Sequence, residues 1–183
     1  MQRLGSDGGS AVTRVRVAGG VLLVAHLALV AWITLRPLDV PWVSAANLRP
    51  FAGIRADLAL GPEVAVRRLA AGLGLLAPLG VLLPMAGGRL APSSLGSLLR
   101  TTTAGTLLSL GIELLQTGVP GQVVDIDSIM LNTIGVALAH LAVVPAARAR
   151  FRRRADSRRS AAVLREEPAQ GRTPTIPRVG IAP

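Results

Sequence analysis

Seven polar side chains in an otherwise apolar chain have the types and spacing to do chemistry: Asn47, Arg49, Glu113, Gln116, Asp125, Asp127 and Asn132. Glu113, Asp125 and Asp127 are the only carboxylates between Glu63 and Asp156. They fall at the ends of long apolar segments, where an ionised acid is costly and is read as functional by default. Three carboxylates at headgroup depth could divide acid and base roles or hold a hard cation through oxygen ligands, so Glu113, Asp125 and Asp127 are the catalytic candidates. The other four suit binding: the Arg49 guanidinium matches a phosphate or carboxylate, and Asn47, Gln116 and Asn132 hydrogen-bond polar parts of a ligand. A nucleophile signature is missing. The chain has no cysteine and no Gly-x-Ser-x-Gly elbow, and its two histidines, His26 and His140, lie within apolar segments apart from the acids. No residue pattern calls for a cofactor or a dedicated metal centre.

The elements that must position these residues are membrane helices. Half of the 183 residues are hydrophobic and 16% are charged, against roughly 25% charged in soluble domains. Val17 to Leu35 is free of charge and long enough to cross a hydrocarbon layer of roughly 30 Å. Two arginines precede it and Val43-Ser44-Ala45 resembles a cleavage site, but the run exceeds an ordinary signal-peptide core and reads as a retained helix. Trp32 and Trp42 mark its interface end. Residues 36 to 61 form a loop broken by Pro37, Pro41 and Pro50, with Ile54, Leu58 and Leu60 spaced for a short amphipathic turn. Gly61-Pro62-Glu63 reads as a helix start. A second span covers Leu69 to Gly88, kinked at Pro78, with Ala70, Gly74 and Ala77 small enough for close helix contact.

The third span, from about Leu98 to Thr117, is more polar, and Ser109, Glu113 and Gln116 share one of its faces. The fourth, Ser128 to Ala147, is charge-free, and Asp125 or Asp127 can cap its first turn. Ser128, Asn132, Gly135 and Ala139 form a packing stripe along it. The fold class is therefore all-α: an integral membrane bundle of four transmembrane helices with an interfacial first loop and a disordered basic C-terminal tail. The divisions are residues 1–16 as a disordered arm, 17–147 as the membrane domain and 148–183 as the tail.

All twenty basic residues are arginines, and ten of them lie from Arg148 to Arg178. Scarce aromatic residues and a charge excess concentrated in one tail point to an anionic lipid surface and away from nucleic acid. With four spans both termini share one side. Placing them in the cytoplasm puts fifteen arginines inside and five outside, as the positive-inside rule prefers. All seven polar candidates then fall at the outer face.

The motifs also resemble a known family. Asn47-x-x-Pro50-Phe51 in the first loop, Pro78-Leu79-Gly80 and Pro84 in the second span, Glu113-x-x-Gln116 ending the third, and Asp125-Ile-Asp127 followed by Asn132-Thr133-x-Gly135 in the fourth resemble the VanZ-like membrane proteins across residues 17 to 145. The chain departs from that pattern at Gln122, where the family usually has arginine, at Ser128, where it has aspartate, and near Gly72 and Leu76, where asparagine and phenylalanine are usual. The resemblance implies a link to glycopeptide (teicoplanin-type) antibiotic resistance and no defined reaction.

Three functions fit these residues. The favoured one is a non-enzymatic envelope accessory protein of the cell membrane whose outward polar site binds a cell-wall precursor, a lipid headgroup or an antibiotic. The alternatives are a metal-assisted enzyme acting on an envelope lipid, and a structural scaffold whose acids only cap and join helices.

Overall fold

The computed structural model describes residues 6–40, 45–87 and 94–170, and Trp42 lies outside them. Six helices follow in order: α1 (Ser6–Thr34), α2 (Ala52–Ala59), α3 (Pro62–Leu76), α4 (Leu79–Gly87), α5 (Ser94–Gln116) and α6 (Ile126–Gln170). Three stretches are long and apolar enough to cross a membrane: Val12–Thr34, Pro62–Gly87 through α3 and α4, and Ile126–Ala147. The chain is thus an all-helical membrane protein among its described residues.

The distribution of side chains inverts that of a water-soluble domain. Buried positions include Thr34, Ser97, Thr101, Ser109, Glu113, Asp127, Asn132 and His140, whereas Val21, Val24, Trp32, Leu99, Leu107, Leu114, Leu138 and Leu141 are exposed. Helix α5 makes the rule plain. Ser97, Thr101, Gly105, Ser109 and Glu113, four residues apart and so on one helical face, are all buried, while Leu95, Leu99, Leu107, Leu110 and Leu114 face outward. A polar face turned inward and a leucine face turned outward suit a helix whose solvent is hydrocarbon.

Although α5 is too polar to join the three apolar stretches, it is coextensive with α1. Arg16 and Arg100 line one cavity at the first end, and Gln116 Nε2 donates to the Thr34 carbonyl at 3.0 Å at the other. The two helices therefore run parallel, and α5 measures about 34 Å at 1.5 Å per residue. Thr106 and Thr133 share a 3.0 Å hydroxyl bond, and Asn132 Nδ2 donates to Ser109 Oγ at 2.9 Å, so polar contacts join α5 to α6.

Two prolines interrupt the second apolar stretch, and each break lies beside a histidine. Pro78 separates α3 from α4; His26 lines the same surface recess as Pro78 and bonds to the Leu75 backbone. Pro84 lies inside α4 and cannot donate to the carbonyl four residues earlier, which belongs to Gly80. Buried His140 fills that vacancy, its Nδ1 lying 3.0 Å from the Gly80 oxygen, which fixes Nδ1 as the protonated nitrogen. The close approach needs Gly80 itself: a Cβ there would strike the Val136 carbonyl and come within 2.8 Å of the His140 nitrogen. Gly135 meets the Leu73 backbone in the same way. The small residues that carry the packing are thus Gly72 and Gly80. Gly74, expected among them, faces open space.

The ends of the chain differ from the sequence-based expectation. Helix starts at Ser6, inside the arm expected to be disordered, and α6 continues to Gln170, through most of the tail expected to be disordered from 148. Arginine, alanine, glutamate and leucine are good helix formers, so a segment too polar to pack can still be helical. The described residues fall into two compact units, one ending at Pro145 and one starting at Ala146.

One consequence is measurable by unfolding in detergent. His140→Ala leaves the Gly80 carbonyl buried without a donor and should cost about 1–3 kcal/mol. In a Pro84→Ala background, where the helix supplies its own N–H, the same substitution should cost clearly less; equal losses in both backgrounds would refute the pairing.

Candidate functional site

The acids meet where α6 begins. Asn47 pairs its backbone with the strand-like segment before α6: its N–H donates to Val124 O at 2.9 Å, and its carbonyl accepts from Ile126 N at 3.0 Å. This single parallel bridge sets Asn47 beside Asp125. Asn47 Nδ2 then donates to Asp125 Oδ1 at 2.8 Å and to Asp127 Oδ2 at 3.2 Å.

Each acid has a defined backbone duty. Asp125 is the N-cap of its own helix, accepting the Asp127 N–H on Oδ1 at 3.0 Å. Glu113, at the end of α5, accepts the Asp125 N–H on Oε2 at 2.8 Å and also bonds to Ser128. A hydroxyl at 128 can donate to this carboxylate; the aspartate usual in the family would set a second acid beside it.

Asp127 reaches furthest. Its Oδ1 accepts from Phe51 N at 2.6 Å, and its Oδ2 from Gly53 N at 2.8 Å and Ile54 N at 3.2 Å. Those donors are the unsatisfied N–H groups that open α2, which has no capping side chain of its own. Phe51 is held in the left-handed region at φ 66°, the one non-glycine residue with positive φ among those described. That conformation costs about 1–2 kcal/mol. It turns successive N–H groups into a concavity that takes an anion, filled here by a carboxylate from a residue 76 positions away. Three bonds to a charged acceptor, each worth about 1.5–3 kcal/mol, outweigh the strain. Gly53 permits the approach, since a Cβ there would lie 3.1 Å from Asp127 Oδ2.

Four of the seven expected residues, Asn47, Glu113, Asp125 and Asp127, therefore form one network. The other three do not join it through their side chains. Gln116 binds the end of α1, and Asn132 binds Ser109 one turn deeper in the bundle. Arg49 touches the cluster only through its backbone N–H, which donates to Asn47 Oδ1 at 3.2 Å, and its side chain is exposed. Gln122, where the family usually has arginine, donates to the Arg36 carbonyl at 3.2 Å. The amide thus joins the first loop to the turn before α6 by a hydrogen bond.

As chemistry, the network is a clasp. Glu113 and Asp127 are 4% and 2% exposed, and their oxygens are occupied by N–H and O–H donors. No group of three or more His, Cys, Asp or Glu among the described residues has a metal-holding arrangement. The backbone donors of Phe51, Gly53 and Ile54 were not foreseen from the sequence. The signal available was Asn47-x-x-Pro50-Phe51-x-Gly53, a turn with a small residue, opposite two acids two positions apart.

The model of the VanZ/LLP1 family matches residues 23–147, which is more than half of the chain and contains every residue of this clasp. The chain belongs to the VanZ/LLP1 family. No curated protein and no solved structure matches it. In this VanZ-family chain, five of the residues that carried the resemblance, Asn47, Phe51, Glu113, Asp125 and Asp127, tie the first loop to the helix ends.

Asp127→Asn keeps the shape but puts an amide NH₂ among backbone donors. Amide hydrogen exchange across residues 51–60 should accelerate by at least about tenfold, corresponding to a loss of about 1.4 kcal/mol or more. Removing the exposed Asp57–Arg68 ion pair (2.7 Å) with Asp57→Asn should change exchange there far less. Unchanged protection in Asp127→Asn would contradict the clasp.

Proposed function

We propose that this VanZ-family protein is a four-pass envelope accessory protein, both termini cytoplasmic, whose clasp holds an outward platform for an anionic headgroup. The fourth pass is α5, supported by its length, its coextension with α1 and its leucine-rich outer face. The orientation rests on the arginine distribution.

The platform is the loop ahead of α2 together with α2 itself. The observation that carries the reading is a division of labour at this end of the bundle: the carboxylates are turned inward onto backbone donors, while Arg49 and Arg55 are exposed. Neither guanidinium makes an ion pair among the described residues. Leu48, Phe51, Leu58 and Leu60 are exposed beside them. Arginines flanked by apolar side chains at an interface suit a phosphate-bearing lipid or lipid-linked cell-wall precursor, the apolar groups entering the bilayer and the guanidinium forks taking the phosphate. Binding a precursor at the outer face is how such a protein would bear on teicoplanin-type resistance. Glu113, Asp125 and Asp127 then act as positioning residues. The scaffold alternative gains from the same hydrogen bonds; the metal-assisted enzyme loses by them, because the oxygens it needs are engaged.

Two measurements test this. Purified protein should be thermally stabilised by an anionic lipid-linked phosphate, and Arg49→Ala should remove most of that stabilisation while leaving the ligand-free melting temperature nearly unchanged. Stabilisation that survives Arg49→Ala would overturn the platform. For orientation, a cysteine replacing Gly118 should be labelled from outside intact cells and one replacing Ser160 should not; the reverse pattern would invert the topology.

A further inference from the structure

The opposite end of the bundle carries a second basic feature, unconnected with the clasp. A cavity of about 440 Å³ lies among α1, α4 and α5, lined by Arg16 from α1, Leu83, Pro84 and Gly87 from α4, and Arg100 and Thr101 from α5. Arg16 and Arg100, from segments more than eighty residues apart, thus line one cavity with no carboxylate among the described residues of its walls. Neither forms an ion pair among the described residues. Cations gathered on a common, partly apolar recess repel each other unless an anion enters, and the low-dielectric walls raise that preference.

The depth and the walls say which anion. Arg16 lies four residues inside the apolar stretch that starts at Val12, so its base sits roughly 6 Å within that stretch, and a long side chain reaches the headgroup layer from there. Thr101, 4% exposed, adds a buried hydroxyl to the recess, and Leu83 and Pro84 give it an apolar floor. Further into the bilayer along the same two helices, Val17, Val21, Leu22 and Leu107 are exposed. Gly87 at the rim leaves open space where a side chain would stand. The volume falls in the range of small-molecule sites, roughly 300–1,000 Å³.

We propose that this recess binds the phosphate of an anionic membrane lipid, Arg16 and Arg100 clamping the phosphodiester, Thr101 hydrogen-bonding it, and the acyl chains lying along the exposed valines and leucines. It is a lipid site at the end of the bundle that holds the start of α1. It is independent of the platform around Arg49. The lipid would act as a tie between α1 and α5 at this end of the bundle.

The test uses the full chain in neutral detergent, with lipid binding read by native mass spectrometry and by melting temperature. Phosphatidylglycerol should bind and stabilise, phosphatidylcholine should bind distinctly more weakly, and millimolar inorganic phosphate should do neither. Arg16→Gln with Arg100→Gln should weaken phosphatidylglycerol binding by about ten- to thirtyfold. Arg14→Gln, which removes one charge from a neighbouring position outside this recess, should weaken it by less than about threefold, below the roughly fivefold expected for each arginine that contacts a headgroup. Equal binding by the double variant and the wild type would overturn the site, as would an equal loss in Arg14→Gln, which would mean general attraction to a basic surface. Inorganic phosphate that stabilises the wild type as well as lipid does would overturn the lipid assignment. If the double variant does not survive purification, the single Arg16→Lys and Arg100→Lys variants keep the charge and lose the fork; each should weaken lipid binding several-fold, and no change in either would likewise refute the clamp.

Discussion

Backbone polar groups that cannot reach water must find partners within the protein, and that requirement organises this molecule. In hydrocarbon an orphaned N–H or C=O costs several kcal/mol. Four irregularities among the described residues are accordingly accompanied by a polar side chain. His140 serves the carbonyl released by Pro84, Gln116 serves the end of α1, Gln122 serves Arg36, and Asp127 serves the N–H groups that open α2. The buried polar residues that look at first like a catalytic inventory are in large part this set of partners.

That requirement also separates the two kinds of charge. A carboxylate is an acceptor only, so it is well suited to helix N-termini and exposed N–H groups, and the bundle uses its three membrane-flanking acids there. Arginine is a donor only and has no such use at a helix start. The basic side chains are left at the rims: Arg49 and Arg55 around the clasp, Arg16 and Arg100 at the far end. Acids that hold the loops and arginines left exposed at the rims follow from one rule about donors and acceptors.

Much of this was legible in the sequence. The apolar runs, the Pro78 break, the Gly61-Pro62 helix start and the convergence of Asn47, Glu113, Asp125 and Asp127 could be read from hydropathy and spacing, because lipid solvation imposes long uniform segments and leaves few places for an acid. The readings that failed concern direction and partner. Gln116 shares an α5 face with Ser109 and Glu113, yet its amide turns to α1, while Asn132 on α6 pairs with Ser109, since a shared face fixes orientation without fixing the neighbour. Gly74 resembled a packing residue as closely as Gly72 and Gly80 do, and only the helix crossing distinguishes them. The helical reach of the tail to Gln170 was hidden because polarity speaks to packing and leaves backbone propensity unaddressed.

The sequence by itself determined the class of solvent, the three long apolar stretches and the identity of the groups too polar to be left against lipid. Those are one-dimensional properties, set by composition along a helix. Only the tertiary structure decided that Asp127 caps a helix 76 residues away, that Phe51 adopts a left-handed turn to offer its N–H, and that Arg16 and Arg100 face one cavity. Such pairings depend on which helix ends are brought to the same level, and a hydrogen bond of three ångströms carries no trace of itself in sequence separation.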